Sequence, residues 1–144
     1  MLQTRGITRE AWFDGACEPV NPGGYASFGV FIPPDVAFSG YVGHGEGMTN
    51  NVAEYAGVVA ALEYLMENKD DEVVIYGDSR LVIEQLSGRW GANTRKPYGK
   101  YFLRAKHLAI QFRSLRFEWV PREENAAADE LSKMAIAGRL AGRD

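Results

Sequence analysis

Four acidic residues of the sequence lie in apolar surroundings, where a carboxylate could do chemistry. They are Asp14 in Trp-Phe-Asp-Gly, Glu54 in Asn-Asn-Val-Ala-Glu-Tyr, Asp78 in Tyr-Gly-Asp-Ser and Asp129 in Ala-Ala-Asp-Glu-Leu. Charges rarely occupy such places without a partner, and no single Lys or Arg recurs beside all four. If the fold brings them together, a divalent cation is the natural partner, because oxygen-only ligands suit Mg²⁺ or Mn²⁺. Two such ions over one carboxylate cluster would form a phosphodiester-cleaving site.

Each of these carboxylates also has a local explanation that needs no metal. The alternatives are Asp14 capping the turn at Gly15, Glu54 as the N3 partner of an Asn51 cap, Asp78 as the N-cap of a helix at Arg80, and Asp129 paired with Lys133. Each explanation is plausible singly, and all four together are a heavier assumption. The sequence leaves these alternatives open at this point.

The overall composition predicts one globular domain. A chain of 144 residues with 46% apolar content can form a single domain over 1–144, with a core at about 7–140. No run of 18 apolar residues suggests a membrane span, and the segment Met1–Gly6 lacks the apolar stretch of a secretory signal. Cys17 is the only cysteine, which excludes an intrachain disulfide and favours a reducing cytoplasm.

The net charge of −3 is unevenly distributed along the chain. From Arg80 to Arg122, ten basic residues are opposed only by Glu84 and Glu118, so this stretch carries +8 and the remainder −11. Because four of those negative charges belong to the featured carboxylates, a metal-loaded cluster would not repel a polyanion. The alternative is that the basic stretch is an ordinary solvated face.

Apolar patterns predict five strands. They lie at about 7–14, 25–32, 36–42, 72–77 and 115–119. The turn at 17–24, with two prolines and two glycines, and the break at Pro33-Pro34 separate the first three, which are expected to form an antiparallel meander. The fourth strand is continuously apolar at its centre, as is typical of a parallel sheet covered on both faces.

Four helices are predicted by the 3.6-residue period, and they complete an α/β fold. They span about 49–68, 80–86, 98–113 and 123–140. The first is apolar on two sides, which predicts that it is mostly buried. The order β-β-β-α-β-α-α-β-α implies a mixed five-stranded sheet, an antiparallel meander plus two parallel strands, with helices on both faces. If the first and fourth strands are adjacent and parallel, Asp14 and Asp78 end them at the edge where open sheets bind ligands.

Five short segments, which include all four carboxylates, follow one another in an order typical of one family. They read Phe-Asp-Gly-Ala-Cys, Asn-Pro-Gly-Gly, Thr-Asn-Asn-Val-Ala-Glu, Gly-Asp-Ser and Glu-Asn-Ala-Ala-Ala-Asp-Glu-Leu. This set resembles type 1 ribonuclease H over about residues 8–137. The resemblance implies a ribonuclease H-like fold and an endonuclease that hydrolyses the RNA strand of an RNA–DNA hybrid. It also implies two Mg²⁺ ions per site, with Mn²⁺ as a substitute.

The resemblance assigns a role to each carboxylate. Asp14 would bridge both ions, and Asp129 would complete the shell of one. Glu54 and Asp78 would hold the ion that activates the attacking water, or would bridge. One ion would lower the pKa of the water that attacks phosphorus in line, and the other would stabilise the departing 3′ oxygen. The products would carry 5′-phosphate and 3′-hydroxyl ends.

Four residues match positions where the family recognises its substrate near the first helix. Asn21, Asn50 and Asn51 match amides that read 2′-hydroxyls, the groups that distinguish RNA from DNA. The turn that carries Asn21 is one residue longer than in many members. Thr49 matches a hydroxyl that holds a DNA phosphate. The alternative is that Asn21 is a turn residue and Asn50 and Asn51 are helix caps, although an exposed amide can do both.

Three further residues match the family less directly. With a one-residue shift, Trp90 and Asn93 fall where the family has an aromatic channel wall and a phosphate-binding amide. Cys17 falls where a side chain touches the hybrid backbone. The alternatives are a hydrophobic cluster under a loop for Trp90 and a small semi-buried thiol for Cys17.

The sequence departs from the family in two places. Many members insert a long basic handle between the second and third helices, whereas only residues 89–100 are available here, so we expect weaker and salt-dependent hybrid binding. Many members also have a histidine in the loop before the last helix. This chain has only His44, predicted in a loop, and His107, predicted at the surface. In the family, that histidine assists proton transfer or product release. We expect Arg122 to take over part of this role by contacting the scissile phosphate.

Two other functions fit the same acidic cluster. One is a related nuclease with another substrate, such as a resolvase, an integrase or a 3′–5′ exonuclease, and these lack the Asn50-Asn51 pair. The other is a hybrid-binding module without activity, against which four intact carboxylates argue. For the leading interpretation, we expect an RNA–DNA hybrid as partner, no membrane, and a monomer that works in the cytoplasm.

Overall fold

The computed structural model of the protein describes residues 8–141, and it has the predicted α/β architecture. The strands are β1 Arg9–Glu18, β2 Tyr25–Ile32, β3 Val36–His44, β4 Glu72–Gly77 and β5 Ser114–Trp119. The helices are α1 Asn50–Glu67, α2 Arg80–Leu86, α3 Gly99–Ala109 and α4 Ala126–Ala141, with a 3-10 turn at Arg122–Glu124. Residue 7 and the segment Met1–Gly6, for which the sequence made predictions, lie outside the described residues.

The sheet is mixed, as predicted, with the strand order β3-β2-β1-β4-β5. The pairs β1–β2 and β2–β3 are antiparallel and form the meander, whereas β1–β4 and β4–β5 are parallel. β1 is the central strand, and its apolar residues Ala11 and Phe13 are fully buried there. The predicted fold class is therefore confirmed.

The helices α1 and α4 cover opposite faces of the sheet. A Cβ atom on Gly57 of α1 would lie 3.2 Å from the Cβ of Phe28, whereas one on Gly29 would lie 2.4 Å from the carbonyl oxygen of Ala128 in α4. Since neighbouring residues of a strand point to opposite faces, α1 and α4 lie on opposite sides of β2. The absence of a side chain at Gly29 lets α4 approach the strand this closely.

The core lies between the sheet and α1. Ten of the 18 residues of α1 are buried, which confirms the expectation from its two apolar sides. Tyr55, Leu62 and Leu65 are fully buried beside Phe13 and Ile32 of the sheet. Burial of each such side chain stabilises the fold by about 1.5–3 kcal/mol. The packing of α1 against the sheet therefore contributes much of the stability of the core.

Three predicted boundaries are wrong. β1 does not end at Asp14 but continues to Glu18, because residues 15–18 stay paired with β2 after β4 has ended. α3 ends at Ala109 rather than near Arg113, because the chain there turns back so that Phe112 is buried. α4 begins at Ala126 rather than Glu123, after the 3-10 turn.

The four helices among residues 8–141 include none that is both long enough and apolar enough to cross a membrane.

Candidate active site

Two of the four carboxylates are brought together by the register of the parallel strands. Trp12 of β1 pairs with Tyr76 of β4, and Asp14 and Asp78 each follow two residues later. Because side chains of a strand repeat every two residues, both carboxylates leave the same face of the sheet at the same level. β4 has ended there, so Asp14, which lies inside β1, faces the space beyond that end.

Glu54 reaches the same place because α1 touches β1 at a glycine. A Cβ atom on Gly15 would lie 2.3 Å from the backbone nitrogen of Glu54 and 2.5 Å from the carbonyl carbon of Ala53. Both neighbours are backbone atoms, so no side chain could be accommodated there without moving the helix. Gly15 therefore permits the close approach that puts Glu54 beside Asp14.

Carboxylate oxygens of Asp14, Glu54 and Asp78 all lie within 4.8 Å of one another. Asp14 is 5% exposed and Glu54 is 3% exposed, so both are buried. Asp129, in the first turn of α4, lines the same cavity and lies near enough to Asp14 to raise the pKa of Asp14. The structure thus brings together all four carboxylates that the sequence singled out.

The carboxylates line one polar cavity of about 290 Å³. Its lining residues come from β1, the start of α1, the end of β4 and the start of α4: Asp14, Gly15, Ala16, Cys17, Glu18, Asn50, Glu54, Asp78, Ser79, Arg122, Asp129 and Lys133. Arg122 and Lys133 are the two cations of this lining.

Burial, together with the crowding of acids, raises the pKa values of three of these carboxyls. Burial raises the pKa of Asp14 to about 8, helped by the neighbouring carboxyl of Asp129 and the charge of Asp78. Burial and the charges of Asp14 and Asp78 raise the pKa of Glu54 well above its usual range. Burial raises the pKa of Asp78 too, opposed by a hydrogen bond from Asn125 and by the charge of Arg122. The cluster therefore favours bound protons or bound cations at neutral pH.

The donor set fits a divalent cation. Oε1 of Glu54 is buried and has no hydrogen-bond partner, while its Oε2 accepts from Asn50 at 3.3 Å. Within residues 8–141, no Lys or Arg forms an ion pair with Asp14, Glu54 or Asp78. All the donor atoms are oxygens, which is the set that Mg²⁺ and Mn²⁺ prefer. A buried carboxylate oxygen without a hydrogen-bond partner, beside other carboxylates, is a donor that a dication can coordinate.

Two of the local explanations are wrong. The N-cap of α2 is Ser79, whose Oγ accepts from the amide of Val82 at 3.3 Å, so Asp78 does not cap that helix. The N-cap of α1 is Thr49 rather than Asn51, which places Glu54 beyond the N3 position. In neither case does helix capping explain the carboxylate.

The other two local contacts exist alongside the cluster. The amide of Gly15 donates to Oδ1 of Asp14 at 2.9 Å, and Nζ of Lys133 lies 3.7 Å from Oδ2 of Asp129. Lys133 is half exposed in this pair, so the ion pair contributes little stability. These contacts orient the two carboxylates without neutralising the group as a whole.

Asn125 is a residue of the site to which the sequence gave no role. Its side chain is buried, and its Nδ2 donates to the carbonyl oxygen of Phe13 at 2.9 Å and to Oδ2 of Asp78 at 3.4 Å. The main-chain carbonyl oxygen of Asn125 accepts from the amide of Asp129, in the first turn of α4, at 3.0 Å. The available signal in the sequence is a polar residue directly before an alanine-rich helix. That signal alone does not indicate the contacts of Asn125 with Phe13 and Asp78.

Besides the contact of its carboxylate with Asn125, Asp78 has a hydrogen bond at its main-chain carbonyl that the sequence did not predict. Nε1 of Trp119, the last residue of β5, donates to the carbonyl oxygen of Asp78 at 3.1 Å. The guanidinium of Arg80 lies 4.3 Å from the centre of the Trp119 ring. The indole therefore joins β5 to the loop that carries Asp78.

Two of the predicted substrate residues near α1 are joined by a hydrogen bond, and a third caps the helix. Thr49 caps α1 by accepting from the amide of Val52 at 3.0 Å. Oδ1 of Asn21, in the turn after β1, accepts from the amide of Asn50 at 3.0 Å. The alternative that Asn21 is a turn residue is confirmed, whereas caps at Asn50 and Asn51 are wrong, because Thr49 is the cap. Their predicted contacts with a substrate stay predictions.

The remaining predicted residues lie in three surroundings. Cys17 is buried, and its Sγ lies 3.3 Å from the carbonyl oxygen of Val20, as expected for a semi-buried thiol. Trp90 is 48% exposed in the loop between α2 and α3, so it is not a core residue, and Asn93 is exposed in the same loop. Arg122 lines the carboxylate cavity.

The two histidines lie outside the carboxylate cavity. His107 is exposed, as predicted. His44 is not in a loop, because it is the last residue of β3 and stacks on Tyr25 with ring centres 3.9 Å apart. Neither histidine is among the residues that line the carboxylate cavity.

Several known proteins resemble this chain. The family model described as Reverse transcriptase-like matches residues 13–135. The ribonuclease HI of Halobacterium salinarum is 37% identical over 133 residues, which is 92% of this chain and 66% of that protein. A bifunctional protein of Mycobacterium tuberculosis is 43% identical over 88 residues, which is 61% of this chain and 24% of that protein. This chain therefore spans about a quarter of the length of the mycobacterial relative.

Solved structures share the fold. The crystal structure of RNase H1 from Halobacterium salinarum has a TM-score of 0.82 and 31% identity, covering 92% of this chain and 99% of that one. LC11-RNase H1, isolated from compost by a metagenomic approach and solved in complex with an RNA/DNA hybrid, has a TM-score of 0.79 and 33% identity, covering 92% and 99%. The chain belongs to the ribonuclease H family, type 1.

Proposed function

We propose that this chain is a metal-dependent endoribonuclease that hydrolyses the RNA strand of RNA–DNA hybrids. The observation that carries the proposal is the group of Asp14, Glu54 and Asp78, whose oxygens meet within 4.8 Å without an ion-pair partner among the described residues. A relative named ribonuclease HI and a similar structure solved with an RNA/DNA hybrid support the choice of substrate.

Asp14, Glu54, Asp78 and Asp129 would hold two Mg²⁺ ions, or Mn²⁺ in their place. When bound, such ions activate an attacking water and stabilise a departing 3′ oxygen, which would leave 5′-phosphate and 3′-hydroxyl ends. The protein supplies the fixed geometry for this chemistry. Asp14 lies within a central strand, Glu54 within a buried helix, and Asp78 is held at its carbonyl and its carboxylate.

Arg122 is the proposed contact of the scissile phosphate. It lines the same cavity as the carboxylates, and its charge lowers the pKa of Asp78, which shows that the two groups are near each other. A guanidinium can donate two parallel hydrogen bonds to a phosphate, and it stabilises negative charge that grows on the oxygens during cleavage.

Recognition of the hybrid is proposed for the groups around the start of α1. Asn50 lines the cavity, and Asn21 is fixed to its backbone, so their amides lie where the 2′-hydroxyls of a bound RNA strand could be read. Asn51 is proposed for the same purpose, and Thr49 for a phosphate of the DNA strand. Cys17 lies beneath the turn that carries Asn21 and is proposed to touch the backbone.

The loop between α2 and α3 would extend this surface. Its Trp90 is proposed as an aromatic wall on which a sugar or base packs, and its Asn93 as a phosphate contact. The monomeric state, the single domain over 1–144 and the cytoplasmic location stay predictions from the sequence.

A cleavage assay tests the proposal. A hybrid with a 5′-labelled RNA strand is incubated with Mg²⁺ or with EDTA, and single-stranded RNA, double-stranded RNA and a DNA duplex serve as controls. We expect cleavage of the RNA strand of the hybrid and of neither its DNA strand nor the DNA duplex, lost in EDTA and in Asp78→Asn. Cleavage of a DNA substrate instead would indicate a related nuclease, and binding of the hybrid without cleavage in Mg²⁺ or Mn²⁺ would indicate an inactive binding module.

A further inference from the structure

The loop between α2 and α3, residues 87–98, has no regular secondary structure but is held by a buried polar network. Gln85, at the end of α2, is 4% exposed, and Tyr98, at the end of the loop, is 8% exposed. Nε2 of Gln85 donates to the carbonyl oxygen of Gly91 at 3.0 Å and to the hydroxyl of Tyr98 at 3.1 Å. The same hydroxyl accepts from the amide of Asn93 at 3.3 Å. Two side chains therefore satisfy two backbone groups in the middle of the loop.

The network is anchored in the core. The hydroxyl of Tyr55, which is fully buried in α1, donates to Oε1 of Gln85 at 2.6 Å. The rings of Tyr55 and Tyr98 are stacked, with centres 5.3 Å apart. Buried polar groups are costly unless they are satisfied, and a satisfied network of this kind fixes one arrangement of the groups it joins. The loop is thus attached to the helix that carries Glu54.

The first part of the loop is attached a second time. The amides of Arg89 and Trp90 both donate to the carbonyl oxygen of Glu84, at 2.9 and 3.1 Å. The side chain of Arg89 also pairs with the carboxylate of Glu84. The exposed groups of the loop are therefore presented by a backbone that is fixed from within.

The outward surface of the loop has the chemistry of a nucleic-acid contact. Residues 87–98 contain three basic residues and no acidic one, namely Arg89, Arg95 and Lys96. Trp90 is 48% exposed among them. Cations that neutralise phosphates, interleaved with an aromatic ring on which a sugar or base can pack, are typical of backbone-binding surfaces.

A groove leads from this loop to the start of α1. It has a volume of about 400 Å³, and its lining includes Thr94, Lys96 and Lys100 together with Glu46, Met48 and Val52. Val52 lies in the first turn of α1, close in sequence to Asn50 of the carboxylate cavity. A duplex that enters the cavity can therefore lie across the groove and reach the loop.

We propose that Gln85 and Tyr98 are positioning residues that hold the α2–α3 loop as a preformed seat for the phosphodiester backbone of the substrate. The proposal rests on the proposed function, because it assigns a surface for the same hybrid. A preformed loop loses little conformational freedom on binding, so the network strengthens binding and leaves the chemical step unchanged. Its removal should raise KM and leave kcat as it was.

Two tyrosine variants separate this role from a general effect on stability. Tyr98→Phe deletes the hydroxyl that touches Gln85 and the loop, whereas Tyr55→Phe deletes a buried hydroxyl of the same network that touches only Gln85. Both keep the stacked rings, and both should fold with similar melting temperatures. They are compared by amide hydrogen exchange at Asn93 and by the kinetics of hybrid cleavage.

For Tyr98→Phe, we expect exchange of the Asn93 amide at least about 10-fold faster and KM at least about fivefold higher, with kcat and the half-saturating Mg²⁺ concentration within about twofold of the unmodified protein. For Tyr55→Phe, we expect KM within about twofold, because Gln85 keeps its bonds to Gly91 and Tyr98 and the stacked rings still attach Tyr98 to α1. Gln85→Met, which removes the network while keeping the length of the side chain, should raise KM at least as much as Tyr98→Phe.

The proposal is overturned if Tyr98→Phe leaves KM unchanged, or if both tyrosine variants change KM and kcat alike. Failure of the proposed function looks different, because then the unmodified protein cleaves no hybrid with any metal. In that case, retention of a labelled hybrid on a filter in EDTA decides the matter. Retention that is weaker for Tyr98→Phe than for Tyr55→Phe supports the proposed positioning of the α2–α3 loop for hybrid binding. Equal retention of the two variants contradicts it.

Discussion

Asn125 holds the carboxylate of Asp78, since its Nδ2 lies 3.4 Å from Oδ2 of Asp78 while also donating to the carbonyl oxygen of Phe13 at 2.9 Å. One amide thus joins the residue before Asp14, the carboxylate after β4 and the start of α4. The positions of Asp14, Asp78 and Asp129 are therefore linked through Asn125, which contacts β1, the residue after β4 and the first turn of α4.

Replacement of Asn125 should therefore damage both stability and the site. Asn125→Ala leaves the Phe13 carbonyl without its buried donor, and we expect a loss of about 2–3 kcal/mol in the free energy of unfolding. Urea denaturation measures it. The matched control is Asn68→Ala, which deletes an exposed amide bonded to the carbonyl of Tyr64 and should cost no more than about 0.5 kcal/mol. Equal losses in the two variants would contradict the role of Asn125.

The contact between Gly15 and α1 gives a second prediction. A methyl group at Gly15 would lie 2.3 Å from the nitrogen of Glu54, so Gly15→Ala must move α1 away from β1. We expect a loss of at least about 3 kcal/mol in unfolding free energy. Gly138→Ala is the control, because a Cβ at Gly138 of α4 meets nothing within 4 Å, and it should stabilise the protein by about 0.4–1 kcal/mol. If Gly15→Ala is as stable as the unmodified protein, the close approach is not required.

The raised pKa of Asp14 predicts how stability depends on pH without metal. A carboxyl whose pKa is about 8 in the folded protein and near 3.8 when unfolded keeps its proton preferentially in the fold. Its contribution to stability is complete below about pH 4 and is lost as pH rises toward 8. We therefore expect the free energy of unfolding in EDTA to fall from pH 5 to pH 8, by at most about 1.4 kcal/mol per pH unit for this group.

Asp14→Asn is the variant that tests this dependence. It removes the titrating group and much of the repulsion that acts on Glu54, so its unfolding free energy in EDTA should change less with pH. Urea denaturation at pH 5, 6, 7 and 8 gives the comparison. A profile as steep as that of the unmodified protein would show that the buried acids do not cause the dependence.

Arg122 should contribute to turnover rather than to stability. It is exposed at the cavity, so Arg122→Ala should lower kcat on a hybrid by about 10-fold, through loss of charge stabilisation at the phosphate. Arg116→Ala is the control for loss of a positive charge, because Arg116 is exposed on β5 and paired with Glu118. Unchanged turnover in Arg122→Ala would rule out the proposed phosphate contact.

The sequence could predict the fold and the cluster because both follow from patterns that local physics enforces. Apolar periodicity indicates strands and helices, and aspartates at matching positions of two parallel strands lie at one edge of the sheet, although β1 itself continues beyond Asp14. The extension of β1 to Glu18 could not be predicted, since it depends on pairing with β2 beyond the end of β4. Local sequence does not record where one partner strand stops and another continues.

The residues that orient the cluster were harder to predict. Asn125 and Trp119 act through hydrogen bonds to residues 47 and 41 positions away, so their neighbours in the chain give no indication of the role. The Gln85 and Tyr98 network is similar, because each residue alone reads as an ordinary helix or loop position. Such contacts become visible only when the packing of distant elements is known.

The most direct test of the central claim is the melting temperature of the protein in Mg²⁺ and in EDTA, measured with Asp14→Asn beside it. If the carboxylates share bound cations, Mg²⁺ at about ten times its dissociation constant should stabilise the fold by about 1.4 kcal/mol, which raises the melting temperature by about 3–6 °C. Asp14→Asn should show little or no rise. A melting temperature that Mg²⁺ and Mn²⁺ leave unchanged up to tens of millimolar, or one that rises equally in both proteins, would contradict a metal site built from these acids.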